Sequence, residues 1–161
     1  YVFYKIKSFM KIISIIIPAY NEDKYIVQLL DNINSVDTDS IGFSKEIIVI
    51  DDGSTDQTLN FAQEAALIHS GITVIHQDNQ GKGNAVQRGV REAKGEFILV
   101  QDADLEYDPN DYNKMLPSIL KGKTKVVYGS RFIGTNFFSR NKWFSPTHYI
   151  GNKLLSLITS L

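Results

Sequence analysis

The sequence of 161 residues contains no cysteine. Without cysteine the chain can form neither a disulfide nor a thiolate zinc site, and it has no cysteine nucleophile. This composition is typical of a cytoplasmic protein, which is the location we predict. Basic charge is also not in excess, because 17 lysine and arginine residues are balanced by 18 aspartate and glutamate residues. Nucleic-acid-binding domains carry a surplus of cations, so nucleic acid is not a predicted partner.

The sequence also lacks a long hydrophobic run. Its most apolar stretch, residues 12–17, ends at Pro18 and is far shorter than the roughly 20 residues that cross a bilayer. We interpret this stretch as a buried strand. Residues 1–9 hold two lysines and several aromatic side chains before Met10, and no small-residue cleavage site follows the apolar run. We therefore expect Met10 to be a natural start and residues 1–9 to be an extension.

Short isoleucine- and valine-rich runs recur along the chain, each followed by a polar turn and a helical pattern. Most of these runs are continuously apolar, which indicates strands that are buried on both faces, as in a parallel sheet. The rhythm therefore predicts βαβ units and an α/β fold with a Rossmann-like, mostly parallel sheet flanked by helices. The predicted strands are residues 12–17, 46–50, 72–76, 97–101 and 125–128.

Four helices are predicted from apolar spacing and from capping residues. The first follows an N-cap at Asn21, and the second starts near Ser54 with Gln57 in a capping box. The third covers about residues 84–93, and the fourth opens at Asp108, before a proline in the favoured first position.

Polar residues follow each of the first four predicted strands. They lie at residues 18–22, 51–54, 78–83 and 102–104. In open parallel sheets, ligands bind outside the carboxyl ends of the strands. We therefore expect these four loops to converge on one edge of the sheet.

The pair Asp102 and Asp104 directly follows a predicted strand. Two carboxylates two residues apart in an extended backbone point the same way and can share a divalent cation. Oxygen ligands favour Mg²⁺ or Mn²⁺, either of which would keep free positions for a substrate diphosphate. A solvated acidic turn that caps the next helix is the alternative. An EF-hand is excluded, because Tyr107 stands where its loop requires glycine.

Other polar side chains at the predicted edge suit ligand contact. Asp52 could accept hydrogen bonds from a base or a ribose, whereas Ser54, Thr55 and Asp56 suit helix capping. We therefore expect Asp52→Asn to weaken nucleotide binding with little loss of stability. Lys82 lies in a glycine-rich turn that is neither a dinucleotide fingerprint nor a Walker loop, so a flexible turn without ligand contact is the alternative.

Arg131 follows the fifth predicted strand. Its guanidinium would suit a diphosphate, and a surface arginine is the alternative reading. A phosphatase of the haloacid dehalogenase type also uses an Asp-x-Asp pair after an apolar strand. That family carries the pair on the first strand of the chain, so it is the weaker alternative here.

Taken together, five segments resemble the family-2 glycosyltransferases in order and spacing, in particular the dolichyl- and polyprenyl-phosphate mannosyl- and glucosyltransferases. These segments are residues 18–22, 51–56, 81–85, 102–104 and 129–131. The resemblance implies a GT-A fold and inverting transfer of a hexose from a UDP- or GDP-sugar. It assigns nucleotide binding to Pro18, Ala19, Tyr20, Glu22, Ile50, Asp52 and Lys82. It assigns the metal to Asp102, Asp104 and Glu106, and catalysis to Asp102, Asp104 and Arg131.

The resemblance also carries expectations about the acceptor. Such enzymes extend past position 161, so we expect residues 10–161 to be a truncated glycosyltransferase domain. A polyprenyl or dolichyl phosphate acceptor is already anionic and needs no general base. A saccharide hydroxyl acceptor and a non-catalytic nucleotide-sugar-binding module are the alternatives. Aromatic and basic residues within 137–161 would suit an interfacial helix at the cytoplasmic face of a membrane. His148 stands where some relatives place a second phosphate-binding arginine.

Overall fold

The computed structural model describes residues 10–120, 122 and 124–128. Its centre is a parallel sheet of four strands in the order β3-β2-β1-β4. The strands are β1 (Lys11–Ala19), β2 (Phe43–Asp52), β3 (Ile72–Gln77) and β4 (Phe97–Val100). Each of these four strands overlaps one of the apolar runs predicted from the sequence.

Helices cover both faces of the sheet. They are α1 (Ile26–Ser35), α2 (Thr58–Ile68), α3 (Lys82–Glu92) and α4 (Tyr112–Leu120), with 3₁₀ turns at Asp39–Ile41 and Pro109–Asp111. Helices α1, α2 and α4 contribute to the main core on one face of the sheet. On the other face, Ala85 of α3 packs against Ile48 and Ile50 of β2. The βαβ architecture predicted from the sequence is confirmed.

Strand β1 is central, and seven successive residues of it are buried. Ile13, Ile15 and Ile17 face the main core, whereas Ile16 faces α3. The approach of α3 is so close that a Cβ on Gly89 would clash with Ile16 Cγ2. Burial on both faces explains why the run is continuously apolar.

The predicted strand at residues 125–128 is wrong. These residues form no strand, and the side chains of Val126 and Tyr128 are 58% and 87% exposed. The run contains only two adjacent valines and is not buried against the sheet, so its β propensity is not supported by packing.

Two helix starts also differ from the prediction. Asn21 does not cap α1, because it adopts a left-handed backbone with φ 57° and α1 begins five residues later. Helix α2 begins at Thr58, and neither Ser54 nor Gln57 forms the predicted capping box. The side chains of Asn21 and Ser54 instead bond between two loops, as described below. The fourth start is confirmed, since the Asp108 side chain accepts a hydrogen bond from Asn110 N across a turn with proline in its first position.

In the part of the chain that the structure describes, no helix combines the length and the hydropathy needed to span a membrane.

Candidate active site

A cleft of about 360 Å³ opens at the carboxyl ends of the strands. The four polar loops predicted from the sequence all contribute to it, so their convergence on one edge is confirmed. Within the described part of the chain, the cleft is lined by twelve residues: Pro18, Ala19, Tyr20, Glu22, Asp52, Asn79, Gly81, Lys82, Ala85, Asp102, Ala103 and Asp104.

Asp52 stands at the end of β2 and organises the loop between β3 and α3. Its Oδ1 accepts hydrogen bonds from Gln77 Nε2 at 2.8 Å and Gln80 N at 2.9 Å, and its Oδ2 accepts one from Gly81 N at 2.8 Å. Burial alone would raise the pKa of Asp52, but these hydrogen bonds outweigh it and the pKa is lowered. The carboxylate is only 3% exposed. The structure therefore revises the expectation that Asp52→Asn would cost little stability, because the side chain is part of the protein's own hydrogen bonding.

The side chain of Asp51, the preceding residue, lies on the opposite face of the sheet. Its Oδ2 lies 2.7 Å from His76 Nδ1 and accepts a long hydrogen bond from Ser54 N at 3.4 Å. Its Oδ1 is buried and has no hydrogen-bond partner among the described residues. The alternation of side chains along a strand explains why only Asp52 reaches the cleft.

The loop between β1 and α1 is bonded to the loop between β2 and α2. Asn21 Oδ1 accepts from Thr55 N at 2.8 Å, and Asn21 N donates to Ser54 Oγ at 3.0 Å. Glu22 N donates to Thr58 Oγ1 at 2.7 Å. Residues that the sequence assigned to helix capping thus connect two loops and hold Glu22 at the cleft.

Glu22 faces a concentration of negative charge. Burial is the main cause that raises the pKa of the Glu22 carboxyl above its ordinary value. The charge of Asp104 adds most to this effect, followed by the charges of Asp56 and Asp102. A carboxyl whose pKa is raised by neighbouring carboxylates lies in a site that a cation would stabilise.

Lys82 is the first residue of α3 and supplies a positive charge to the cleft. Its Nζ lies 2.7 Å from Asp102 Oδ1. The Lys82 side chain is 63% exposed and the Asp102 side chain 29% exposed. The sequence singled out both residues but did not predict that they would pair.

The backbone of Asp102 is held by a buried pair that sequence reasoning missed. Tyr112 Oη donates to Gln101 Oε1 at 2.8 Å, and Gln101 Nε2 donates to the Asp102 carbonyl at 3.1 Å. Burial raises the pKa of Tyr112, with a smaller contribution from Asp108, so its hydroxyl remains a donor. A glutamine at the end of an apolar strand was the available signal, because such a side chain requires a partner when buried.

The donor set suits a hard divalent cation. Asp102 and Asp104 present carboxylate oxygens to one cleft, and Mg²⁺ is commonly bound by one or two carboxylates together with substrate phosphates. Across the described residues, no group of three or more histidine, aspartate or glutamate side chains is arranged to hold a metal ion. Glu106 is also outside the cleft lining, and its backbone N donates to Asp104 Oδ1 at 3.0 Å. The pair Asp102 and Asp104 thus fits a metal ion better than the predicted set that also included Glu106.

The structure places most of the predicted site residues together. Ile50 is an exception, since its side chain is fully buried against α3 and is not part of the cleft lining. Asn79 lines the cleft although only its glycine-rich loop was singled out. Arg131, His148, and the segments 1–9 and 137–161 lie outside the described residues.

Residues 14–159 match the family model described as glycosyl transferase family 2. The chain is 35% identical over 121 residues to a dolichol-phosphate mannosyltransferase of Pyrococcus furiosus, covering 75% of this chain and 33% of that protein. It is 30% identical over 167 residues to a UDP-N-acetylglucosamine–dolichyl-phosphate N-acetylglucosaminyltransferase of Methanococcus voltae, covering 94% of this chain and 63% of that protein. The chain thus spans between a third and two thirds of the length of these two relatives.

A solved structure shares the arrangement of the sheet and helices. It is the mannosyltransferase PcManGT from Pyrobaculum calidifontis in complex with GDP-Man and Mn²⁺, with a TM-score of 0.56 and 31% identity over 63% of this chain and 30% of that one. The fold is GT-A, a mostly parallel sheet flanked by helices. The phosphatase alternative is therefore wrong: the chain belongs to glycosyltransferase family 2.

Proposed function

We propose that this chain binds the nucleotide-sugar donor of a metal-dependent, inverting hexosyltransferase. The donor is a UDP- or GDP-sugar bound with Mg²⁺ or Mn²⁺. The observation that carries the proposal is the meeting of Asp52, Lys82 and the aspartate pair 102/104 in one cleft. The PcManGT complex supports it, because that similar protein holds GDP-Man and Mn²⁺.

Asp52 supplies the contact to the base or ribose. A carboxylate has about four acceptor positions, and the protein donates three hydrogen bonds to this one. Two of the three go to Oδ1, so Oδ2 retains capacity for a donor from the nucleotide. Pro18, Ala19 and Tyr20 form the adjoining wall of the cleft.

The opposite side of the cleft receives the diphosphate. Asp102 and Asp104 would hold the metal ion, and the Lys82 ammonium would lie beside the phosphate oxygens. When bound, the ion neutralises the negative charge that develops on the departing nucleoside diphosphate. Arg131, placed by resemblance alone, would add a second cation to the diphosphate.

For the acceptor we propose a polyprenyl or dolichyl phosphate, reached at the cytoplasmic face of a membrane. Both relatives described above are named for dolichol or dolichyl phosphate. Residues 10–161 would be the donor-binding part of the transferase domain, and segment 137–161 would contact the membrane surface. A phosphate acceptor attacks the anomeric carbon as an anion, which fits the absence of a histidine–carboxylate pair from the residues lining the described cleft.

Calorimetry with UDP- and GDP-sugars, with and without Mn²⁺, tests the donor proposal. Asp104→Ala should lower the Mn²⁺-dependent affinity by about 100-fold, since even outer-shell changes cost 10–100-fold in metal affinity. Glu96→Ala is the matched control, because it removes an exposed carboxylate that pairs with Lys11 at the far end of β1. Equal metal-dependent affinity in wild type and Asp104→Ala would overturn the metal assignment.

Transfer from a labelled donor then separates the acceptors. Product on polyprenyl phosphate supports the lipid-phosphate proposal, whereas product only on a soluble saccharide supports a hydroxyl acceptor. Donor binding without any turnover by the full-length protein would identify a binding module. Flotation with anionic vesicles tests the membrane contact, which should weaken when Trp143 and Phe144 become serine.

A further inference from the structure

The ion pair between Lys82 and Asp102 joins the two halves of the cleft. Asp102 follows β4, whereas Lys82 opens α3, which follows β3 at the other edge of the described sheet. The Nζ to Oδ1 distance of 2.7 Å makes this a direct ion pair. A carboxylate that we assign to the metal is thus occupied by a cation of the protein itself.

The backbone that carries Lys82 is anchored, so exchange of this contact needs only side-chain motion. Gly81 N and Gln80 N both donate to Asp52. Gly81 has φ 87°, a left-handed conformation that favours glycine and lets the chain turn into α3. From this fixed start the lysine side chain extends across the cleft.

The pair is weak enough to be exchanged. Ion pairs between exposed side chains contribute little to stability, and the Lys82 side chain is 63% exposed. The ammonium contacts the carboxylate of Asp102, whereas Asp104 and Glu22 add further negative charge to the same cleft. A divalent ion that contacts two aspartates would satisfy more of this charge than Lys82 does.

We propose that Lys82 holds the place of the metal ion on Asp102 in the unliganded protein and moves to the donor diphosphate when the metal and the nucleotide enter together. The inference rests on the proposed function. A metal ion that arrives alone must displace the ammonium from Asp102, and the ammonium then needs another anionic partner. A diphosphate provides that partner. Because coupling between two ligands is reciprocal, each ligand strengthens binding of the other through this side chain.

Titration of Mn²⁺ alone into the 161-residue chain tests the exchange. Lys82→Gln should bind Mn²⁺ about two- to fivefold more tightly than wild type, because a contact worth up to about 1 kcal/mol no longer competes. In the presence of Mn²⁺, the same variant should bind UDP or GDP several-fold more weakly. Lys82→Arg keeps the cation and should retain weak binding of Mn²⁺ alone.

Lys11→Gln is the charge-matched control. Lys11 pairs with Glu96 at the amino end of β1. That strand spans nine residues, so Lys11 lies about 26 Å from the cleft at roughly 3.3 Å per residue. This distance exceeds the Debye length of about 8 Å at physiological ionic strength. Loss of the Lys11 charge should therefore leave the Mn²⁺ affinity unchanged. That result would show that the effect of Lys82→Gln comes from its contact with Asp102 and not from the change in net charge.

A second measurement needs no metal. Amine acetylation followed by mass spectrometry should modify Lys82 faster in Asp102→Asn than in wild type, and at the wild-type rate in Asp104→Asn. Acetylation at Lys11 gives the internal reference. Unchanged or weaker Mn²⁺ binding by Lys82→Gln, or equal acetylation in both aspartate variants, would overturn the exchange. Failure of wild type to bind Mn²⁺ with UDP or GDP would overturn the proposed function instead.

Discussion

The two sides of the cleft are built differently. On the nucleotide side, where the loops after β1, β2 and β3 meet, backbone N–H groups donate to side chains of neighbouring loops at Asn21, Thr58 and Asp52. On the cation side, the structure gives the Asp102 carboxylate a lysine partner and the Asp104 carboxylate a nearby backbone N–H. The nucleotide side is thus held by hydrogen bonds between loops, whereas the cation side keeps carboxylate charge available for a ligand.

This difference separates side chains that stabilise the fold from side chains that are available to a ligand. Buried acceptors that bond to the backbone contribute to folding, so changing them lowers the free energy of unfolding as well as affinity. Like charges held together lower stability unless a ligand compensates them. Changes on the nucleotide side should therefore destabilise the protein, whereas changes among the cation-side carboxylates should stabilise the metal-free form.

Gly53→Ala should have the largest effect, because it breaks the junction of two nucleotide-side loops. Gly53 has φ 73°, and an added Cβ would lie 2.7 Å from Asn79 N. Left-handed strain and overpacking together should lower the free energy of unfolding by about 2–4 kcal/mol. Denaturant unfolding measures this. Gly83→Ala is the control, since nothing lies within 4 Å of its added Cβ, and it should be neutral or stabilising within α3.

Asp52→Asn should lower the free energy of unfolding by about 1–3 kcal/mol at pH 7, because an amide N–H would oppose backbone donors. The pKa of Asp52 is lowered in the folded protein. Its stabilising contribution is therefore complete above the unfolded pKa of about 3.9 and is lost as pH falls through the lower folded value. Unfolding curves of the two proteins should converge below about pH 4. A constant difference down to pH 2 would contradict the carboxylate's role.

Asn21→Ala should cost about 1–2 kcal/mol through two separable causes, the lost acceptor for Thr55 and the left-handed backbone. Asn21→Gly relieves the backbone strain and removes only the acceptor, so it should fall between wild type and Asn21→Ala. Thermal unfolding ranks the three proteins. Equal stability of the glycine and alanine variants would show that φ 57° at this position is not a source of strain.

Glu22→Gln should have the smallest effect and the opposite sign, because the Glu22 carboxyl faces the cation-side aspartates although its backbone lies in a nucleotide-side loop. The raised pKa of Glu22 means that its charged form is disfavoured in the folded protein. Its protonation stabilises the fold as pH falls through the raised folded value, and the neutral glutamine should have a similar effect at pH 7. Melting temperature without metal should rise by about 1–3 °C. With Mn²⁺ and UDP or GDP the order should reverse, and an unchanged order would show that Glu22 does not face the ligands.

Local pattern in the sequence determined the sheet and the edge that bears the site. Continuous apolar runs such as residues 12–17 require burial on both faces, and polar residues directly after them can only lie at strand ends. These inferences succeed because they depend on neighbours within one segment. The period of two along an extended chain also predicted that Asp102 and Asp104 would share a direction. Both side chains line the cleft, but they do so from a turn after β4 and not from an extended backbone.

Tertiary structure alone decided which partner each polar side chain takes. Asn21 and Ser54 have the composition of helix caps, yet they bond to each other's loops, because packing of α1 beside α2 brings those loops together. Lys82 and Asp102 are twenty positions apart, and their contact depends on how β3, α3 and β4 are placed. Capping propensity is a local preference worth about 1 kcal/mol, so contacts between segments can override it.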